Sequence, residues 1–210
     1  MAEEIPWKTL SEAYAFIGNS LLKPMTQTPT VGLDPAFWEG FPTFDEGIAE
    51  AVAGCLRYAE AAAERAEAGG DEAQRCAVEF TRLFVGPPKP AAAPWETMHR
   101  GQDVTVGFGQ PTFEMRQLLR EAGLEVKNEN NQYEDHMGIE LLLLSTLCAR
   151  QDAEPDAEGA RKIAEFIDAH PLAWVGKLHA RVAEEAPEGY FAALLALEEV
   201  LLRWHRAQLG

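Results

Sequence analysis

Apolar residues recur at helical spacing through nearly every segment of this 210-residue chain, with prolines and glycines punctuating the intervals. Leu10, Ala13, Tyr14, Ile17 and Leu21 share one face of a helix expected over residues 9–22. Pro24, Pro29, Gly32 and Pro35 then mark an irregular connection. Asp34 ahead of Pro35 has the form of an N-cap followed by proline at the first helical position, which predicts a short helix over 36–39. Thr43 and Glu46 have capping-box spacing and open a long alanine-rich helix ending at Gly69 and Gly70. Asp71 caps the next helix, whose apolar positions include Val78, Phe80, Leu83 and Phe84. Prolines 87, 88, 90 and 94 prevent any helix from continuing through 85–94. Further helices are expected over 112–122, to about 150, over 155–170, from Pro171 onward and over 190–208. Residues 103–108 alternate only weakly and are too isolated to make a sheet. The expected fold is therefore all-α, a single-domain helical bundle over residues 1–210.

The charge narrows the partners. A net charge of −16 argues against nucleic acid, which needs a clustered Lys/Arg surface. It suits a basic partner through steering, and equally serves solubility. Cys55, Cys76 and Cys148 are few, odd in number and set within apolar-periodic segments, which points to buried thiols in a reducing compartment. The first eight residues lack a basic region followed by an apolar core, and no apolar run approaches the ~20 residues of a membrane span. A cytoplasmic protein without membrane insertion is expected.

The stretch 132–140 leads into the most apolar helix of the chain, 141–148. Asn131 is placed to cap it, with Glu134 reaching back three residues later, so that Glu134 and Asp135 occupy a first turn favoured for negative charge. Met137, Leu141, Leu144 and Cys148 form one stripe, widened by Ile139, Leu142 and Leu143. At the helix start, Asp135 and His136 are expected to reach a groove without being buried, Asp135 raising the imidazole pKa. That pair suits recognition or proton handling; ordinary capping beside a solvated histidine gives the same pattern.

Catalytic and cofactor motifs are thin. Gly107 and Gly109 are followed by Thr112 where a dinucleotide loop needs a third glycine, and there is no Walker-type loop. A helical di-iron site uses two Glu-x-x-His pairs; this chain has one, Glu96 to His99, and Tyr133 stands where His136 would need its glutamate. His136 and Glu140 lie one turn apart but lack a visible third ligand. Ser145 and Cys148 sit within the apolar helix, unlike exposed nucleophiles. No catalytic residue, metal or cofactor is expected. Leu83 and Phe84 before the proline loop, with Pro94 and Trp95 after it, suit a preshaped edge for a peptide, although Trp95 also fits a core position.

Four motifs in order resemble the TorD/DmsD family of redox-enzyme maturation chaperones, and NarJ more distantly. The first is Glu79-Phe80-Thr81-Arg82-Leu83-Phe84-Val85-Gly86-Pro87, like the family's helix ending in Leu-Phe before a proline loop. The second is Pro94-Trp95-Glu96-Thr97, like its Pro-aromatic-Glu/Gly-Ser segment. The third is Glu134-Asp135-His136 leading to Glu140 and Leu141, like its acidic Asp-His signature. The fourth runs from Phe166 through His170 to Trp174, like its Phe-Leu-x-x-His-Leu-x-x-Trp pattern. Gln132 and Tyr133 replace a frequent Glu-Pro, and Thr97 replaces the usual Ser while keeping the hydroxyl.

The resemblance implies a non-enzymatic cytoplasmic chaperone. It would bind the twin-arginine signal peptide, and the apo form, of a molybdopterin-dependent oxidoreductase catalytic subunit, holding it for cofactor insertion before export. Asp135 and Glu134 would take an arginine. His136 would orient Asp135 or bind a peptide carbonyl; Leu83, Phe84, Pro94 and Trp95 would take the apolar part, with Gln132 and Glu96 beside them. A NarJ-like chaperone of a non-exported subunit is the near alternative. A helical metal-dependent enzyme using His136, Glu140, Glu96 and His99 is the alternative from another class.

Overall fold

A computed structural model of the chain describes residues 5–101, 107–126 and 132–210. Ten α-helices are formed there: α1 (Trp7–Leu22), α2 (Pro35–Glu39), α3 (Glu46–Glu67), α4 (Glu72–Phe80), α5 (Thr97–Arg100), α6 (Gln110–Glu121), α7 (Met137–Ala153), α8 (Ala157–Ala169), α9 (Pro171–Glu185) and α10 (Tyr190–Gln208). Among the described residues the only β-type pairing is one isolated antiparallel bridge, Trp95 to His136. The all-α expectation is borne out. Asp34 and Asp71 cap α2 and α4 by accepting the N–H of Ala36 and Gln74. Asp45, not Thr43, caps α3 by accepting the Ile48 N–H at 2.8 Å. Residues 103–106 of the weakly alternating segment lie outside the described residues, as does Asn131.

The helices gather into two compact units. One comprises Met1–Leu22, Pro94–Trp174 and Leu202–Gly210. Its axis is α7 laid along α1, and their backbones approach so closely that a Cβ on Gly138 would lie 2.6 Å from the Gly18 carbonyl oxygen. Two glycines facing each other make that approach possible. Ser145 fastens the crossing by donating to the Ser11 carbonyl at 2.8 Å. The expected stripe of α7 is buried at Met137, Leu141, Leu144 and Cys148.

The other unit comprises Lys23–Ala93 and Val175–Leu201. After α4 the chain passes through a π turn, Thr81–Val85, ending at Gly86 with φ +99. A side chain there would be strained, and its Cβ would meet the Lys89 backbone at 2.8 Å. Leu83 and Phe84 are buried, Phe84 packing edge-on to Phe191 at 5.1 Å and to Phe80 at 5.5 Å. Val78, expected on the apolar face of α4, is 58% exposed. All three cysteines are free and buried, and burial pushes the Cys55 and Cys76 thiols up to about 12 and about 11.

Candidate functional site

Asp135 organises the first unit. The helix begins at Met137 with His136 as N-cap, so Glu134 and Asp135 precede α7 rather than forming its first turn. Around them the chain pairs across one bridge: Glu96 N–H donates to the Asp135 carbonyl and Met137 N–H to the Pro94 carbonyl, both at 2.9 Å. This sets the Pro94–Thr97 motif against the Asp-His motif. The Asp135 carboxylate then accepts three bonds. Thr97 donates its N–H at 2.9 Å and its hydroxyl at 2.5 Å to Oδ2, and Thr112 donates its hydroxyl to Oδ1 at 2.9 Å. One side chain thus ties together the starts of α5 and α6. Burial pushes its pKa up, and the hydrogen bonds from Thr97 and Thr112 pull it back.

The expectation that Asp135 and His136 stand clear of the core does not hold: their exposures are 0% and 1%. The imidazole expectation is reversed as well. His136 Nδ1 accepts the Gly138 N–H at 3.0 Å, which leaves the ring proton on Nε2. Burial lowers its pKa to about 3, so the ring is neutral at physiological pH. A fully buried base whose Nδ1 is engaged in capping loses more by desolvation than a neighbouring carboxylate returns, particularly when that carboxylate is itself held by three other donors.

Below this pair lies a second buried polar group. Glu96 pairs with Arg100 Nε at 2.7 Å and with His170 Nδ1 at 2.9 Å, while Glu140 accepts the Trp174 indole N–H at 3.1 Å. Arg100 also donates to the Ala169 carbonyl. Burial first, and then the facing Glu96 charge, push the Glu140 carboxyl well above its usual range. Ligand-type atoms of Glu96, Glu140 and His170 lie within 4.8 Å of one another. The four-residue set His136, Glu140, Glu96 and His99 is not assembled: His136 caps α7, and His99 stacks on Trp174 at 5.0 Å. What gathers here is the third of the family-like motifs with the second and fourth, as an internal brace.

The surface above the brace is aromatic. Trp95 is half-buried and meets the rings of Tyr133 and His136 edge-on at 6.1 and 6.2 Å. Phe108 meets Tyr133 at 5.4 Å and Phe113 at 5.0 Å, and Phe108, Phe113 and Tyr133 are 41%, 51% and 36% exposed. Glu134 borders them and is held by Arg116, whose hydrogen bond keeps its carboxyl below the usual range. Of the residues expected to line a peptide site, Gln132, Glu134, Asp135, His136, Pro94, Trp95 and Glu96 belong to this unit, whereas Leu83 and Phe84 belong to the other. Gln132, Glu134 and Trp95 are half-buried; Pro94 and Glu96 are buried. Thr112, Phe108, Phe113 and Arg116 touch these candidate residues or one another, and motif and spacing do not single them out. Phe113 carries a signal, because it is an aromatic residue off the buried Met115–Leu119 stripe of α6.

An all-helical chain braced by these three motifs defines a class of helical proteins, and comparison assigns the family. The chain belongs to the nitrate reductase delta subunit family, whose model matches residues 42–180, about two thirds of its length. It is 30% identical over 130 residues to the Tat proofreading chaperone DmsD of Salmonella typhimurium, covering 62% of this chain and 60% of that protein. It is 29% identical over 121 residues to the chaperone protein TorD of Aliivibrio salmonicida, covering 55% of each. With the TorD of a Vibrio cholerae strain the identity is 26% over 161 residues, 74% of this chain and 72% of that one. The match thus spans about 60% of the length of the DmsD relatives. These relatives are named as chaperones, not as enzymes. No helix among the described residues is long and apolar enough to cross a membrane.

Proposed function

We propose that the protein is a non-catalytic cytoplasmic chaperone. It binds the twin-arginine signal peptide, and the apo catalytic subunit behind it, of a molybdopterin-dependent oxidoreductase, and holds the client for cofactor insertion before export. The observation that carries this reading is the exposed aromatic surface of Phe108, Phe113 and Tyr133 beside the Glu134 carboxylate, on a chain of net charge −16. Such a surface matches a leader that has cationic residues followed by an apolar stretch. The relatives' names, Tat proofreading chaperone and chaperone protein TorD, support the same client class.

Roles divide by accessibility. Gln132, Glu134 and Trp95 contact the peptide, with Tyr133. Asp135, His136, Pro94 and Glu96 act from below by fixing the 132–136 segment. Leu83 and Phe84 set the rigid start of the proline loop in their own unit.

Titration of a synthetic peptide with two adjacent arginines followed by an apolar stretch tests the proposal. Binding is expected, weakening as salt rises and on replacing both arginines with lysine. Absence of binding would contradict it. The near alternative is a chaperone for a non-exported enzyme subunit; equal binding of an N-terminal peptide without arginines would select it.

A further inference from the structure

Glu134 already holds an arginine. Arg116 donates from Nε to Glu134 Oε1 at 2.7 Å and from Nη2 to Oε2 at 3.0 Å, engaging both carboxylate oxygens. The same guanidinium carbon lies 5.9 Å from the centroid of the Phe113 ring. A two-pronged carboxylate and a ring face are the two features that distinguish arginine from lysine. The pair is not a helix-surface pairing like Arg161 with Glu158, since it links α6 to the 132–136 segment. Its partners are 36% and 19% exposed, so it is half in water and contributes little to stability. The exposed rings of Phe108, Phe113 and Tyr133 adjoin it.

We propose that Glu134 and Phe113 form an arginine-reading cradle, and that Arg116 is its built-in competitor, displaced when an arginine of the client leader enters. The inference rests on the chaperone reading and goes beyond it by naming the carboxylate and its resident occupant. An incoming arginine replaces the Arg116 fork bond for bond, while Arg116 swings into solvent on an already half-exposed side chain. The apolar residues of the leader then add contacts on the aromatic ledge that the resident arginine does not make. Self-occupancy lowers apparent affinity by the fraction of molecules whose cradle is closed. It also filters out ligands that bring charge without the ledge contacts.

The test compares wild type, R116Q and R116K by calorimetric titration with the diarginine peptide and its dilysine counterpart. Removing Arg116 is expected to tighten diarginine binding about 2–5-fold, the range that a half-exposed ion pair can withhold. The dilysine peptide is expected to gain less, because it cannot use the vacated fork. R116K, which keeps the charge without the fork, is expected to fall between, and it serves if R116Q folds poorly. Unchanged or weaker diarginine binding by the variants, or equal gains for both peptides, would overturn self-occupancy while leaving the chaperone reading intact. No binding of either peptide to any variant would remove the chaperone reading and this inference with it.

Discussion

Thr97 donates twice to one oxygen of Asp135, through its backbone N–H and through its hydroxyl. That paired donation to a fully buried carboxylate couples two motifs 38 residues apart. It assigns Asp135 to the support of the surface rather than to the surface itself.

Replacing Thr97 with valine removes the hydroxyl without changing the shape much. The buried carboxylate then keeps one fewer donor, and a loss of about 1–3 kcal/mol of stability is expected. Thr97→Ser restores the donor and is expected to lie close to wild type. The hydroxyl favours the charged form of Asp135, so the valine penalty should shrink in acid as the carboxylate protonates. Urea unfolding of both variants at pH 7 and pH 4 checks the magnitude and its direction.

Acid sensitivity should trace to buried histidines. His136 and His205 both have pKa values lowered by burial from 6.5 to about 3. Between those values the unfolded chain takes up protons that the native rings refuse. Their stability contribution is therefore complete above about pH 6.5 and lost as pH falls toward 3. Asparagine at position 136 can still accept the Gly138 N–H as an N-cap but does not titrate. His136→Asn is expected to flatten the acid limb by up to about 1.4 kcal/mol per pH unit. Unfolding midpoints measured from pH 4 to pH 7 report the slope.

Glu198 is a buried carboxyl with neither oxygen hydrogen-bonded, and desolvation raises its pKa well above the usual value. A raised carboxyl contributes fully below its unfolded pKa of 4.5, and that contribution is lost as pH rises toward the folded value. Glu198→Leu is expected to stabilise the protein at neutral pH by about 1–3 kcal/mol, with a smaller gain at pH 4. Thermal midpoints at the two pH values measure it.

The helices are legible in the sequence because their signals are local. Asp34 with Pro35, Asp71 and the α7 stripe each fix structure within a turn or two. The site is legible only in membership. Sequence order brings Trp95, Asp135, His136 and Glu140 together, but which of them face solvent depends on contacts between residues 18 to 38 positions apart. His136 reads as a solvated partner of Asp135 because adjacency along the chain is the only geometry a sequence displays. The bridge to Trp95 and the hydroxyls of Thr97 and Thr112 turn both side chains inward. The exposed face falls instead to Tyr133, Glu134 and the off-stripe Phe113.

The central claim, that the 132–136 segment presents Glu134 to a client arginine, is tested most directly by titrating the diarginine peptide into wild type and Glu134→Gln at low and moderate salt. The variant keeps the size of the side chain and loses its charge at a half-buried position. Binding about tenfold weaker, with a shallower salt dependence, is the expected result. Equal affinity and equal salt dependence in the two proteins would contradict it.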